Sequence, residues 1–296
     1  MANVDVPYHK TMGVPSTQTV ESVGRKRQAT VLRVVDVVCV FLVSFPFVAL
    51  ELDIIRPFHQ GFSCDDHSIK YPNLQDTVPD ELLSAGGLLM AIFIVCSGEV
   101  LCVRFAKHHK KTMLKETLYR VLGSYLFGAA ATLSLTAVAK ATVGRLRPHF
   151  LAVCKPLNCS DGYSMGHVCT GSQKELIEAR KSFFSGHASF AMYTMLYLAL
   201  YLEARLTWRG ARALRPFLQF LLLLSALYVG LSRVSDNKHH CSDVLTGFVV
   251  GAVNAVFVVT QMSNVFKKKK KELRYVGGIE MGLVANCKQP ALVLAP

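Results

Sequence analysis

Charged residues are scarce in this chain of 296 residues. They make up 18% of the sequence against 51% hydrophobic residues, which is too few for an ordinary soluble domain. The sequence shows no solenoid-type repeat, and its two halves lack the similarity that the inverted repeats of many transporters produce. Residues 1–28 have no apolar core of a cleavable signal peptide, so we expect the first apolar segment to act as its own signal.

Long apolar segments occur throughout the chain. A helix that crosses a bilayer needs roughly 20 mostly apolar residues. Six windows meet this requirement: 30–54, 83–106, 118–139, 185–204, 215–232 and 243–263. The sequence therefore predicts an all-α bundle of six transmembrane helices. We expect three parts: a flexible tail at 1–28, a membrane domain at 29–265 and a basic tail at 266–296.

The net charge of +13 is distributed in bands. Lysine and arginine cluster before the first window, between the second and third, between the fourth and fifth, and after the sixth. The positive-inside rule then places both termini in the cytoplasm and the other three loops outside. The lysine run at 267–271 fits a stop-transfer flank that also attracts anionic lipid. No nucleic-acid partner is expected, because the charge follows the membrane topology.

The predicted outer side holds five of the nine cysteines: Cys64, Cys154, Cys159, Cys169 and Cys241. An oxidising compartment permits disulfides there. Three of the five share one loop, so we expect at least one bridge in the 154–169 region, with the pairing left open. The same loop carries an N-x-S glycosylation acceptor at Asn158, which agrees with an outer location.

A first polar cluster follows the third window, where Lys140 precedes Arg147 and Pro148. The two cations are seven positions apart, so both lie on one side if the helix continues, whereas the helical phase turns Arg145 elsewhere. Two fixed cations outside the hydrocarbon form a cradle for an anion. The alternative is that all are interface residues whose charged ends reach water.

A second cluster, Ser185-Gly186-His187, stands at the start of the fourth window. Ser185 is suited to cap a helix, and Gly186 allows a ligand to approach the backbone. The free N–H groups of that helix start would face an anion. His187 can donate a proton to a leaving oxygen near neutral pH. The alternative is a capping role alone.

A third cluster lies before the sixth window and contains Arg233, His239 and Asp243. His239 and Asp243 are four residues apart, so the carboxylate can bind one imidazole nitrogen and leave the other as a nucleophile. His240 is rotated by about 100° from that face and is the poorer candidate. A metal site is the alternative, which the adjacency of the two histidines disfavours.

All three clusters adjoin the third to sixth windows on the predicted outer side. Hydrolysis of a phosphate monoester is among the slowest uncatalysed reactions, so an enzyme without metal needs dense positive charge and a strong nucleophile. Lys140, Arg147 and Arg233 supply the charge, and His239 supplies the nucleophile. These residues predict a metal-free phosphatase.

The three clusters together resemble the signature of the type-2 phosphatidate phosphatases and, within them, of the animal lipid phosphate phosphatases. The stretches GRLRPHFLAVC, SFFSGHASF and SRVSDNKHHCSDVLTG are most similar to the type-3 members. The resemblance covers about residues 30–265 and implies a six-helix core of the phosphatidate phosphatase type 2 and vanadium haloperoxidase kind. Phe184 departs from the proline usual in the broader superfamily.

The resemblance also implies an activity and a role for each residue. Hydrolysis would proceed on the exoplasmic face through a phosphohistidine, without magnesium or another cofactor. His239 would be the nucleophile, Asp243 its orienting group and His187 the general acid. The phosphoryl group would be held by Lys140, Arg147, Arg233, Ser185 and Gly186.

Lysophosphatidate, phosphatidate, sphingosine 1-phosphate and ceramide 1-phosphate are the substrates that the resemblance implies. The expected location is the plasma membrane, with internal membranes as a second one, and a homo-oligomer is a further expectation. The main competing hypothesis is a non-catalytic lipid-phosphate-binding or adhesion protein on the same scaffold, disfavoured because every expected catalytic residue is present. Two less favoured hypotheses are a transporter or scramblase and a phosphatase of soluble sugar phosphates.

Overall fold

A computed structural model describes residues 17–105, 111–157, 162–164, 169–206 and 212–263. The regular elements of the described chain are helices, apart from one short antiparallel pair of strands. The elements in chain order are α1 (Thr17–Glu51), β1 (Phe62–Ser63), α2 (Asp80–Phe105), α3 (Lys111–Val143), α4 (Phe150–Cys154), β2 (Tyr163–Ser164), α5 (Gln173–Glu178), α6 (Gly186–Arg205), α7 (Leu214–Ser235) and α8 (Cys241–Gln261).

Five described helices are long and apolar enough to cross a membrane. They span Gln28–Glu51, Asp80–Cys102, Leu114–Val143, Leu214–Ser235 and Cys241–Gln261. Each coincides with one of the six predicted windows. The chain is therefore a multi-pass membrane protein, and the prediction of six spans depends on α6, which covers the remaining window.

Helix α6 is less apolar than the five helices above, and it is enclosed by other helices of the protein. It contacts α2, α3, α7 and α8, and its buried face carries Tyr193, Tyr197 and Tyr201. Buried tyrosine hydroxyls need partners, and those of Tyr193 and Tyr197 each donate to a backbone carbonyl of α3 at 2.7 Å. A helix enclosed by other helices can carry polar groups that a lipid-facing helix cannot.

The described chain divides into two compact units at the boundary between Leu42 and Val43. The first unit is the N-terminal part of α1, which begins at Thr17. Residues 17–28, predicted as part of a flexible tail, are therefore helical. The second unit holds all the other described elements. The predicted basic tail at 266–296 lies outside the described residues.

Two glycines bring α8 against α6. A Cβ atom on Gly251 would overlap the carbonyl oxygen of Ser189, and one on Gly247 would lie 2.7 Å from that of Ser185. Residues four apart share one helix face, and small residues there allow backbones to approach closely. The contact places the first turn of α8 beside that of α6, where the Ser185 N–H donates to the Asp243 carbonyl at 3.1 Å.

The segments that follow α3 pack against the loop between α1 and α2. Gly144 ends α3 with φ +59°, where a Cβ atom would overlap the Phe58 carbonyl oxygen. A disulfide joins Cys154 to Cys169, which confirms the bridge predicted in this loop, whereas Cys241 is free and exposed. Cys159 and the predicted glycosylation site Asn158 lie outside the described residues.

Candidate active site

One cavity of about 670 Å³ opens at this end of the bundle. Residues of all three sequence clusters line it: Lys140, Arg147, Gly186, His187, Arg233 and His239. The structure thus brings the three clusters together, although His239 and Lys140 are 99 positions apart in the sequence. Ser185 and Asp243 are fully buried and do not line the cavity.

The first cluster reaches the cavity by a route that the sequence did not predict. Helix α3 ends at Val143, so no continuous helix joins Lys140 to Arg147. Instead the Arg147 N–H donates to the Ala179 carbonyl at 2.8 Å, and the guanidinium forms an ion pair with Glu178. The Nε of Arg147 is buried and has no hydrogen-bond partner among the described residues.

Arg145 is hydrogen-bonded to residues beside the cavity, although helical phase predicted that it points away from them. It does not line the cavity, but its Nη1 donates to the Asp243 carboxylate at 2.5 Å and to the Ser242 hydroxyl at 2.8 Å. The prediction that it points elsewhere was based on a continuous helix, and Gly144 interrupts that helix.

The second cluster starts α6. Ser185 is the N-cap, and its hydroxyl accepts from the Ala188 N–H at 3.4 Å, which confirms the predicted cap. A Cβ atom on Gly186 would lie 3.8 Å from the Lys140 Nζ, so the glycine leaves the helix start open toward the lysine. The Nε2 of His187 lies 2.9 Å from the Val78 carbonyl oxygen, and its Nδ1 lies 3.4 Å from the Asp80 carboxylate.

The third cluster places His239 in the loop between α7 and α8. Its side chain is 3% exposed, and its Nδ1 lies 3.8 Å from Oδ2 of Asp243, close for charge interaction but too far for a hydrogen bond. Burial, with the positive charges of Arg147 and Lys140, lowers the pKa of His239 to about 3 against the opposing effect of Asp243. The imidazole is therefore neutral at physiological pH and keeps a free lone pair.

The Asp243 carboxylate is completely buried and has several partners. Besides Arg145, it accepts from the Ser182 hydroxyl at 2.6 Å and from the His240 N–H at 3.2 Å. Sequence reasoning gave this carboxylate only His239 as a partner. Ser182 could have been found, because it stands in the same stretch as the second cluster.

Arg233 is the most deeply buried cation of the cavity, at 2% exposure. Its guanidinium forms an ion pair with Asp76 and donates to the Val78 carbonyl at 3.2 Å. Its Nε is buried without a hydrogen-bond partner among the described residues. The backbone carbonyl of Arg233 accepts from the His239 N–H at 3.2 Å, so the cation and the imidazole are fixed to each other through the main chain.

Residues 71–80 form one wall of the cavity, and we name them the strap. Thr77 donates to Asp236 through its N–H at 2.8 Å and through its hydroxyl at 2.7 Å. Asn73 accepts from the Lys238 Nζ at 2.9 Å. Sequence reasoning predicted no chemistry for this loop, because its partners lie about 160 residues further along the chain.

Other titratable residues that sequence reasoning did not select also line the cavity, among them His149, Glu178 and Lys238. Burial lowers the pKa of His149 to about 4, and its Nδ1 lies 2.8 Å from the Asn237 carbonyl oxygen. Although burial raises the pKa of Glu178, the cations Arg147 and Lys140 hold it below its ordinary value. Both groups keep one charge state across neutral pH.

Comparison with known proteins matches this arrangement to one family. Residues 121–267, which include all three clusters, match the PAP2 superfamily. Phospholipid phosphatase 1 of Rattus norvegicus is 48% identical over 252 residues, which are 81% of this chain and 89% of that protein. The chain belongs to the animal lipid phosphate phosphatases.

Further members of the family are nearly as similar. Phospholipid phosphatase 2 of Rattus norvegicus is 47% identical over 79% of this chain and 87% of its own length. Phospholipid phosphatase 2 of Homo sapiens is 45% identical over 79% of this chain and 83% of its own length. This lipid phosphate phosphatase is thus a membrane enzyme that acts on lipid phosphates, and the similarity does not single out the type-3 members.

Proposed function

We propose that this lipid phosphate phosphatase hydrolyses lysophosphatidate, phosphatidate, sphingosine 1-phosphate and ceramide 1-phosphate through a phosphohistidine, without magnesium. The observation that carries the proposal is that the buried His239 lies in one cavity with Lys140, Arg147 and Arg233. Three cations attract the phosphate dianion and stabilise the charge of the transition state, while the uncharged imidazole remains nucleophilic.

Substrate binding would satisfy groups that the cavity leaves unpartnered. The buried Nε atoms of Arg147 and Arg233 lack hydrogen-bond partners among the described residues. Buried donors without partners are uncommon in folded proteins, and a phosphate offers acceptors for both. The open helix start at Gly186 adds backbone N–H groups directed at the same anion.

The first chemical step transfers the phosphoryl group to the enzyme. Since Nδ1 of His239 faces Asp243, Nε2 attacks the phosphorus; the N–P bond forms as the bond to the lipid oxygen breaks. His187 donates its proton to that oxygen, and the lipid alcohol leaves. Asp243 stabilises the positive charge that develops on the imidazole of His239.

The second step regenerates the enzyme. A water molecule attacks the phosphorus while the now neutral His187 accepts a proton from it. The N–P bond breaks, the electron pair returns to His239, and inorganic phosphate is released. Both histidines then have the protonation states with which the cycle began.

We place the site on the exoplasmic face, with α6 as the sixth span and both termini in the cytoplasm. The bands of basic residues support this orientation. The Cys154–Cys169 disulfide beside the site supports an oxidising compartment. Residues 29–265 would then form the catalytic membrane domain, at the plasma membrane and in internal membranes.

The nucleophile is tested by His239→Ala in purified enzyme. We expect no phosphate release and no acid-labile, base-stable phosphoenzyme from labelled lysophosphatidate. His67→Ala changes an exposed outer-loop histidine and serves as the matched control with normal turnover. Gel filtration in detergent checks that both variants are folded. Normal turnover by His239→Ala would overturn the assignment.

Metal independence, substrate class and orientation need separate measurements. EDTA should leave activity unchanged; loss that a divalent ion restores would contradict the metal-free mechanism. Lysophosphatidate should be hydrolysed far faster than glucose 6-phosphate, and a reversed order would favour a phosphatase of soluble sugar phosphates. Intact cells should hydrolyse added lysophosphatidate, and activity only after lysis would refute the outward orientation.

A further inference from the structure

The strap supplies two acceptor groups to His187. The Val78 carbonyl oxygen lies 2.9 Å from Nε2, and Asp80 Oδ1 lies 3.4 Å from Nδ1. A carbonyl oxygen only accepts hydrogen bonds, so Nε2 carries a hydrogen in this arrangement. Nδ1 is therefore the nitrogen that gains and loses the second proton, and it is the one that faces Asp80.

Three charged side chains act on His187 from three different helices. Lys140 comes from α3, Arg233 from α7 and Asp80 from the first residue of α2. Burial of the side chain, which has the largest effect, and the nearby cations disfavour the second proton on the imidazole, whereas an opposite charge favours it. Among these three, Asp80 alone favours the imidazolium that a general acid requires.

The backbone of the strap is anchored where it passes His187. Thr77 is tied to Asp236 by two hydrogen bonds, and the Val78 carbonyl accepts from both His187 and Arg233. The Asp80 side chain itself is 90% exposed. It is therefore held near Nδ1 by its backbone, while its carboxylate can move aside when a lipid oxygen approaches.

We propose that Asp80 is a positioning residue for proton transfer, one that favours the imidazolium of His187, with a proton on Nδ1, against the burial of the ring and the two cations. This inference rests on the proposed function, in which His187 is the general acid. As the P–O bond of the substrate breaks, the Nδ1 proton moves to the lipid oxygen. His187 is left neutral with its hydrogen on Nε2, still bonded to Val78.

A merely structural role for Asp80 makes different predictions. As the first residue of α2, its carboxylate also interacts favourably with the helix dipole. Loss of that interaction would lower stability, but it would affect substrates with good and poor leaving groups alike. Dependence on the leaving group therefore distinguishes the two roles.

The test compares Asp80→Asn with Asp80→Glu on two substrates. The alkyl oxygen of lysophosphatidate must be protonated as it leaves, whereas p-nitrophenyl phosphate releases p-nitrophenolate, a stable anion that leaves without protonation. We expect Asp80→Asn to move the alkaline limb of kcat/KM for lysophosphatidate down by about half a pH unit, an about threefold loss on that limb. Asp80→Glu should restore it, and p-nitrophenyl phosphate hydrolysis should not change.

Asp65→Asn is the control, because it removes an exposed carboxylate of the outer loop that does not line the cavity. It should leave both profiles unchanged. An unchanged limb in Asp80→Asn, or equal losses on both substrates, overturns the role of Asp80. Full activity of His239→Ala in the same assays overturns the proposed function instead, so the two failures are distinguishable.

Discussion

Replacement of Asp243 by asparagine tests the charge arrangement around the nucleophile. The substitution keeps the size of the side chain and removes its negative charge. In the proposed mechanism, attack by His239 on phosphorus develops positive charge on an imidazole whose Nδ1 lies 3.8 Å from the carboxylate. Asp243→Asn should therefore slow phosphoenzyme formation more than it weakens substrate binding.

The expected loss of kcat in Asp243→Asn follows from the distance between the two charges and from their burial. Two unit charges at that separation interact by about 4 kcal/mol at the effective dielectric constant of about 20 used for protein sites. The side chains of His239 and Asp243 are 3% and 0% exposed, so screening by solvent is small. About 4 kcal/mol corresponds to roughly a thousandfold loss of kcat. Arg145 remains in place and further disfavours the imidazolium.

The assay measures kcat and KM for lysophosphatidate in detergent micelles, with rapid-quench trapping of the phosphoenzyme. Asp65→Asn alters an exposed carboxylate of the outer loop and is the matched control, with wild-type kinetics expected. Thermal melting shows whether each variant is folded. A folded Asp243→Asn enzyme with kcat within tenfold of wild type would refute the role of the carboxylate in stabilising the imidazolium.

Three further predictions follow from the same geometry. Ser182→Ala removes a hydrogen bond to the buried Asp243 carboxylate and should lower the free energy of unfolding by about 1.5–3 kcal/mol in a denaturant titration. The pKa of His239 is lowered from 6.5 to about 3. The stability linked to the neutral imidazole is therefore present above pH 6.5 and is lost as the pH falls toward 3. Melting curves of His239→Gln should show less acid sensitivity than those of wild type. Gly251→Ala should destabilise by about 1–3 kcal/mol, whereas Gly86→Ala, which has open space, should be neutral or stabilising.

The long helices could be predicted from the sequence because membrane spanning imposes a length and a composition. Every one of the six apolar windows coincides with a helix. Helix ends were less predictable, since α1 extends to Thr17 through residues with no apolar pattern. The short elements α4, α5, β1 and β2 were not predicted, because two to six residues carry too little local signal.

The candidate site was predictable as far as local spacing reaches. Lys140, Arg147, His187, Arg233 and His239 stand in short motifs, and all of them line one cavity. The contacts of the strap and of Arg145 depend on residues 97 to 165 positions away. Such contacts arise from tertiary packing between distant segments, which no local pattern encodes.

The buried carboxylate and the buried imidazole meet two opposite requirements of the proposed reaction. A lone carboxylate beside His239 would favour the imidazolium, which has no lone pair to attack phosphorus. Arg145 and Ser182 already compensate the charge of Asp243 at 2.5 and 2.6 Å, and the pKa of His239 stays low at about 3. At 3.8 Å the carboxylate is still close enough to stabilise the charge once bond formation creates it. The arrangement thus favours the transition state over the resting state, which is the condition for an interaction to accelerate the chemical step.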